Sequence, residues 1–407
     1  MGSQVRDAAP AANDLATASL ESRVVHEAIT PALPLALTLA ILALTYWCVD
    51  TVSPALPVMR DDLGLSATGA GLVVSFFFGG RLVANLPAAM LVTRGGPRWT
   101  AAIGAVGLLA GSLLVAAAVS ERLLLPARAL QGAGVALLAT AGLLSVLRAL
   151  PGGGSAMTAF NVASGVGSSG GLFFGGVLTS IFGWRSVFWL SAGIAGVLLA
   201  GALAARPIAS ARQVSASPAG ESPAPRMGAS TATACVANLL VYGNYAIWVV
   251  ALPLYANGRF GATAEQIGVL LMVINAIHLL GAFPAWRVIR RAGAPVALGL
   301  GFATTGIGLA LALAAPSVGW LWAPMAVYAI GQVAGNSAAG DLVLRLGGGG
   351  GRAVGMVRLS SDLGMAAAGW LADAAGYGAP FVALAVVSAG AAGGVLALRR
   401  RGWLRAG

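Results

Sequence analysis

Twelve stretches of this chain stay apolar for twenty or more residues, and that pattern leaves few folds open. They lie at about 32–57, 68–92, 99–118, 123–147, 156–179, 186–205, 230–255, 265–288, 295–314, 319–344, 353–374 and 379–398. A helix needs roughly 20 apolar residues to cross the hydrocarbon core of a bilayer. The supply matches, since 58% of the 407 residues are hydrophobic and only 9% are charged. The reading is an all-α membrane protein with short loops and the lipid bilayer as its solvent. A large water-soluble domain, a disulfide scaffold and a disordered chain are excluded. Cys48 and Cys235 fall in apolar runs without metal-ligand spacing and read as small core residues.

All 24 basic residues are arginines, and the formal net charge is +11. In a soluble protein that balance would point to nucleic acid; here placement points elsewhere. Arginines collect at alternate ends of the apolar runs: Arg94 and Arg98, Arg148, Arg206 to Arg226, Arg287 to Arg291, Arg345 and Arg352, and Arg399 to Arg401. Short arginine-rich loops stay in the cytoplasm, so both termini are expected there, in a multi-pass protein of the plasma or inner membrane with no nucleic-acid partner. Residues 1–31 read as a disordered cytoplasmic tail, because the first apolar run is a full membrane span and not the short core of a signal peptide.

The longest polar connection, 206–229, is rich in Pro, Ser, Ala and Arg and divides the spans six and six. An internal repeat supports that division. An offset of 196 lays Ala55-Leu56-Pro57 on Ala251-Leu252-Pro253, and an offset of 197 lays Gly71 on Gly268, Pro87 on Pro284, Arg94 on Arg291 and Gly96 on Gly293. The expected organisation is a six-helix bundle over 32–205, a cytoplasmic linker at 206–229, a second six-helix bundle over 230–399 and a short tail at 400–407. Gly167, Gly171 and Gly175 share one face of span five, where small residues let helix backbones approach closely. That face reads either as a tight static interface or as one along which helices slide.

Several segments resemble the major facilitator superfamily of transporters. Arg128-Ala129-Leu130-Gln131-Gly132-Ala133-Gly134 is similar to its fourth-helix signature, and Asp50-Thr51-Val52 with Ala55-Leu56-Pro57 resembles the first-helix motif of its drug:proton antiporters. Arg94, Gly96 and Arg98 occupy the place of the cytoplasmic loop motif between helices two and three, although Ala89 and Thr93 replace its usual glycine and aspartate. Gly167, Gly171, Gly175 and Gly176 match the fifth-helix antiporter motif, with Leu172 where that motif has proline. The resemblance implies two pseudo-symmetric bundles around a central cavity that opens to either side in turn.

An ionised side chain near the bilayer centre costs about 2.5–3.5 kcal/mol on insertion scales, so each is a functional candidate. Asp50 and Arg128 stand at depths of roughly 12 and 9 Å, counted at about 1.5 Å per residue. If their helices are neighbours, as the resemblance implies, the two can face each other in a proton-coupling site; the alternative is a permanent ion pair. Arg81 and His278 coincide under the 197 offset, and either line a cavity, where they could hold an anion, or serve as core residues. Arg358 and Asp362, four apart, are expected to form a structural or gating pair, and Asp341 lies one turn before Arg345. Tyr46, Asn244, Gln332 and Asn336 are candidate cavity residues, with Tyr245, Trp248 and Asn275 as further polar or aromatic contacts. Arg94, Gly96, Arg98, Gln131, Gly132 and the span-five glycines belong to gating and motif positions.

The chain has no lysine, hence no phosphate-binding Gly-x-x-x-x-Gly-Lys loop, and ATP-driven transport is excluded. Two histidines do not make a multi-histidine metal centre, and no cofactor is expected. The resulting reading is a monomeric secondary transporter that moves a small-molecule substrate by alternating access, coupled to protons, in the direction of drug or metabolite export. Proton-coupled uptake of an organic anion is the alternative within transport. A membrane-embedded enzyme would need a nucleophile, paired carboxylates or metal ligands at matched depth, and the spans do not supply them.

Overall fold

The structure, a computed structural model, describes residues 32–150, 153–204, 228–347, 350–367 and 378–400. The two expected tails and the linker lie almost wholly outside the described residues. In chain order the helices are α1 (Ala32–Asp50), α2 (Leu56–Leu63), α3 (Ala67–Arg94), α4 (Gly96–Ala116), α5 (Glu121–Ala149), α6 (Gly153–Phe182), α7 (Trp184–Ala204), α8 (Ala229–Ala246), α9 (Leu252–Phe260), α10 (Ala264–Ala292), α11 (Ala294–Leu313), α12 (Trp322–Leu346), α13 (Gly350–Ala367) and α14 (Ala379–Arg400). Each of the twelve apolar runs holds a helix. Nine described helical segments are long and apolar enough to cross a membrane; α8 and α9 count as one of them, being joined by a π-helical stretch, Ile247–Ala251. α1, whose apolar part is shorter, with α12 and α13 fills the remaining three runs.

The repeat read from a few residues runs through the geometry. The first apolar run does not stay one helix: α1 stops at Asp50, the chain turns through 51–55, and α2 begins with Pro57 in its first turn. Proline lacks the N–H that would continue the helix and fits a first turn instead. The π stretch at 247–251, followed by Pro253 in the first turn of α9, loosens the second half at the positions 196 further on. Ser66 caps α3 through the amide of Gly69, and Thr263, 197 later, caps α10 through that of Gln266. Left-handed glycines close α2 and α9 at Gly64 and Gly261, with φ of 62° and 66°, and the positive-φ glycines Gly96, first in α4, and Gly293, directly before α11, repeat the 197 relation.

Packing repeats as well. A Cβ at Gly167 would meet the carbonyl of Ala43 on α1, and one at Gly364 would meet that of Leu239 on α8. Gly104 lies against Gly134 and Leu138 of α5, just as Gly301 lies against Gly331 and Gly335 of α12. Without a hydrophobic drive between helices in lipid, these close backbone approaches hold the fold together. On one face Gly167, Gly171 and Gly175 sit directly on the carbonyls of Ala43 and Trp47 of α1 and of Thr51 in the turn that follows it.

The buried core places the two halves of the chain relative to each other. On the side away from the arginine-rich loops it is continuous, running from Val49, Phe77 and Leu124 through Ile247, Leu271 and Tyr328. Toward the arginine-rich side it splits. Leu42, Val146 and Phe160 form one cluster and Ala84, Ala88 and Leu137 another, both in the first half, while Ala297, Phe302 and Leu342 belong to a cluster wholly within the second. The halves meet along two seams, α3 against α13 and α6 against α10.

Candidate functional site

Asp50 is the last residue of α1, directly before the proline-bearing turn, and its side chain is buried between the halves at 4% exposure. The Ser168 hydroxyl from α6 donates to its Oδ2, and the Tyr245 hydroxyl from α8 donates to its Oδ1 at 3.1 Å. Tyr245 comes from the other half of the chain, so the carboxylate bridges the halves. Ser168 follows Gly167, whose close contact with α1 brings the serine into reach. Among the described residues no cation lies within ion-pair distance of Asp50.

Arg128 does not pair with Asp50, contrary to the facing arrangement expected from their depths. Its Nε donates to the carbonyl of Val73 at 3.2 Å, its Nη1 donates to Gln131 Oε1 at 2.7 Å, and its guanidinium lies over the Phe77 ring at 4.5 Å. Equal depth does not fix the direction of a side chain, and here the carbonyl, amide and aromatic partners on α3 and α5 satisfy the charge. Gln131 passes the network on to the Ser112 hydroxyl of α4 at 2.8 Å. Gly132 lets α5 approach so closely that a Cβ there would strike the Phe77 carbonyl.

The expected Arg358–Asp362 pair is replaced by another. Asp362, 3% exposed, forms an ion pair with Arg81 Nη2 at 3.2 Å and accepts a hydrogen bond from Asn85 Nδ2 at 2.5 Å, both on α3 in the opposite half. A neighbour four residues away on a helix contributes only a few tenths of a kcal/mol. A desolvated carboxylate is better satisfied by a guanidinium and an amide across the seam. Asp341 and Arg345 do pair, at 2.9 Å.

Beside these groups a cavity of about 20 Å³, room for roughly one water, is walled by Tyr242, Tyr245 and Trp248 of α8 and the π stretch, Ile274 and His278 of α10, and Tyr328, Gln332 and Asn336 of α12. Its wall thus contains His278, Gln332 and Asn336, along with Tyr245 and Trp248. Asn244 is turned away: its amide reaches Ser388 on α14 at 3.1 Å, because Tyr245 and not Asn244 takes the cavity-facing side of the helix. Tyr46 packs edge-on against Phe160, and Arg81 stands at the seam with its guanidinium over the Phe78 ring. Arg98 donates to the Leu203 carbonyl at the end of α7, inside its own half, and Arg94 is exposed in the last turn of α3. Asn85, one turn from Arg81 and a candidate partner for it from the sequence, turns to Asp362 instead, whereas Ser168 and Tyr242 carry no sequence signal beyond standing next to the packing glycines Gly167 and Gly243.

A family model described as the Major Facilitator Superfamily matches residues 35–367. The puromycin resistance protein pur8 of Streptomyces alboniger is 36% identical over 150 residues, which is 35% of this chain; the chain spans 29% of that relative's length. Among solved structures, a mutant of the nucleoside transporter NupG superposes with a TM-score of 0.74 at 12% identity, over 91% of this chain and all of that one. A POT family transporter in complex with a thioalcohol-conjugated peptide gives 0.72 at 14% identity, over 90% of this chain and 96% of that one. At such identities the two structures speak for the fold alone.

Proposed function

Because the chain belongs to the Major Facilitator Superfamily and is a multi-pass membrane transporter rather than an enzyme, we propose that it is a secondary active transporter that exports a small solute by alternating access, coupled to protons. The observation that carries this reading is Asp50, a buried carboxyl bonded by two hydroxyls, one from each half, with no counter-cation at ion-pair distance among the described residues. Hydroxyls serve either form of the acid: they donate to the carboxylate, and one turns to accept when the acid carries its proton. An acid of this kind exchanges a proton as its access to water changes, and Tyr245 reports that exchange to the second half.

In this reading Arg128 tunes the proton affinity of Asp50 while holding α3 and α5 together through the Val73 carbonyl and Gln131. The cavity as it stands holds about one water, and its aromatic and amide-bearing wall beside Tyr245 is the lining that an aromatic solute with hydrogen-bonding groups would meet once the halves part. Export is favoured by the relative named for puromycin resistance. Uptake of an organic anion is the weaker reading, since Arg81 is engaged by Asp362 and Arg128 by Gln131 and a carbonyl, so neither guanidinium is left for a substrate carboxylate. The split core on the arginine-rich side supports a state entered from the cytoplasm, with both termini there.

Proteoliposomes with an imposed pH gradient test the reading. Wild-type protein is expected to move cationic and neutral aromatic solutes against their gradient, and Asp50→Asn is expected to abolish the gradient dependence. Unchanged accumulation in Asp50→Asn removes the coupling role, and a preference for anions restores the alternative.

A further inference from the structure

The last two turns of α10 carry a side-chain ladder that the internal repeat does not account for. Phe283 and Trp286 lie nearly parallel, with ring centroids 6.0 Å apart and planes 21° from each other. Arg287 reaches back over the Phe283 ring at 4.6 Å, and Arg290 over the Trp286 ring at 4.5 Å. The four stand at i, i+3, i+4 and i+7, so two stacks of ring and guanidinium run side by side on one helix face. That face is open: Phe283 is 60% and Trp286 47% exposed, and both arginines are exposed as well. It continues the line of Leu280, whose 76% exposure on a membrane-spanning helix marks the lipid side, and it borders the seam where Leu279 covers Gly165 of α6.

Neither guanidinium has an acid or a hydrogen-bond acceptor among the described residues. By contrast Arg345, in the last turn of α12, is held by Asp341, and Arg98 by a carbonyl. No acid stands on α10 after Glu265, while Arg287, Arg290 and Arg291 repel one another along the same helix end. An arginine at the end of a membrane helix ordinarily extends its charge toward water; these two turn back toward the span and keep it at the depth of the rings. The fold does not demand this arrangement. Under the 197 offset the mates in the first half are Leu86, Ala89, Met90 and Thr93, so α3 ends at the equivalent loop with neither ring nor charge at those positions.

We propose that this end of α10 is a binding site for an anionic phospholipid. The Arg287 and Arg290 guanidinia hold the phosphodiester, whose oxygens a guanidinium meets in pairs. The Phe283 and Trp286 rings bear the glycerol and the first carbons of the acyl chains, at the level where aromatic side chains settle in a bilayer. The bound phosphate supplies the counter-charge that α10 lacks, and the lipid lies along the edge of the seam between α6 and α10. A soluble phosphate would leave the rings unused, so a lipid is the occupant that engages both parts of the ladder. The site is independent of the role given to Asp50.

Brominated lipid chains quench a tryptophan that they touch, and Trp286 is the reporter. Full-length protein is placed in phosphatidylcholine vesicles in which a minor fraction of either phosphatidylglycerol or phosphatidylcholine carries bromine. The chain has ten tryptophans, so the Trp286 share of the quenching is the difference between each protein and its Trp286→Phe counterpart. Wild type is expected to prefer brominated phosphatidylglycerol by about fivefold for each arginine. Arg287→Met with Arg290→Thr, the residues that the first half carries at these places, is expected to lose the preference while melting at an unchanged temperature. Arg287→Lys with Arg290→Lys, which keeps the charge but not the paired donors, is expected to keep part of it, and Arg399→Gln, at another exposed helix end, all of it. Equal quenching by the two lipids in wild type, or a preference that survives the Met and Thr pair or falls as far in Arg399→Gln, overturns the site. So does a preference that emerges only when residues 1–31, with four acids against two arginines, are removed, since that tail would then be the occupant.

Discussion

The two seams are repeat mates with different chemistry. At α3 and α13 the halves are joined by Arg81, Asn85 and Asp362. At α6 and α10 they are joined by backbone: a Cβ on Gly176 would strike the Ala264 carbonyl, Gly268 fits against Leu172, Leu279 covers Gly165, and the Asn275 amide donates to the Gly165 carbonyl at 3.0 Å and the Ser169 hydroxyl at 2.8 Å. Under the 197 offset Gly165 is the mate of Asp362, and His278 that of Arg81. Exchanging an acid for a glycine and a guanidinium for an imidazole turns a charged clasp into a close-packed joint. An ion pair is undone by removing one charge, while interlocked backbone is set by shape alone, so the two seams differ in what disrupts them.

Breaking each seam should cost differently. Arg81→Gln is expected to be the most damaging, at about 3 kcal/mol, because it strands a buried carboxylate. The double change Arg81→Leu with Asp362→Leu should regain most of that in thermal unfolding in detergent. Gly176→Val should cost about 2 kcal/mol by forcing side-chain atoms into the α10 backbone, and no second-site charge change should rescue it. Asn275→Ala removes neutral hydrogen bonds and should cost about 1 kcal/mol in the same melt. A glycine-seam variant rescued by altered charge, or Arg81→Gln no worse than Asn275→Ala, erases the distinction.

The smallest effect lies away from both seams. On the far side Asp62 of α2 accepts from Trp184 Nε1 at 2.9 Å and Arg185 Nη1 at 2.6 Å, and these bonds hold its carboxyl below the usual carboxylate range. The depressed value sets the sign: the tie is present above the ordinary carboxylate range and is lost only as pH falls below it. Fluorine NMR of fluorotryptophan-labelled protein, with Trp184→Phe assigning the resonance, should show that transition, and Arg185→Gln should move it upward.

Much of the fold was legible because lipid simplifies the problem. Apolar length marks the helices, arginine placement sets the expected side of each loop, and Pro57, Pro253, Gly96 and Gly293 recur at nearly one offset since each marks a helix start or a left-handed turn. The site was legible only as a set of ionisable residues. Asp50, Arg81 and Asp362 each declare themselves by standing in apolar runs, yet their partners do not. Asn85 and Asp362 are 277 residues apart, and no periodicity tells which face of α13 meets α3. The local rule offered Arg358 to Asp362 and depth offered Arg128 to Asp50. For Asp362 the winning partners lie on a neighbouring helix, and for Arg128 they are Val73 and Phe77 of a neighbouring helix together with Gln131 of its own, a choice that depends largely on helix rotation.

The most direct measurement of proton coupling is proton movement evoked by solute. A pH dye trapped in proteoliposomes should report proton flux when an aromatic solute is added to wild-type protein, and none for Asp50→Asn, while that variant still binds the solute by intrinsic tryptophan fluorescence. Solute-evoked flux of undiminished size in Asp50→Asn would contradict the account.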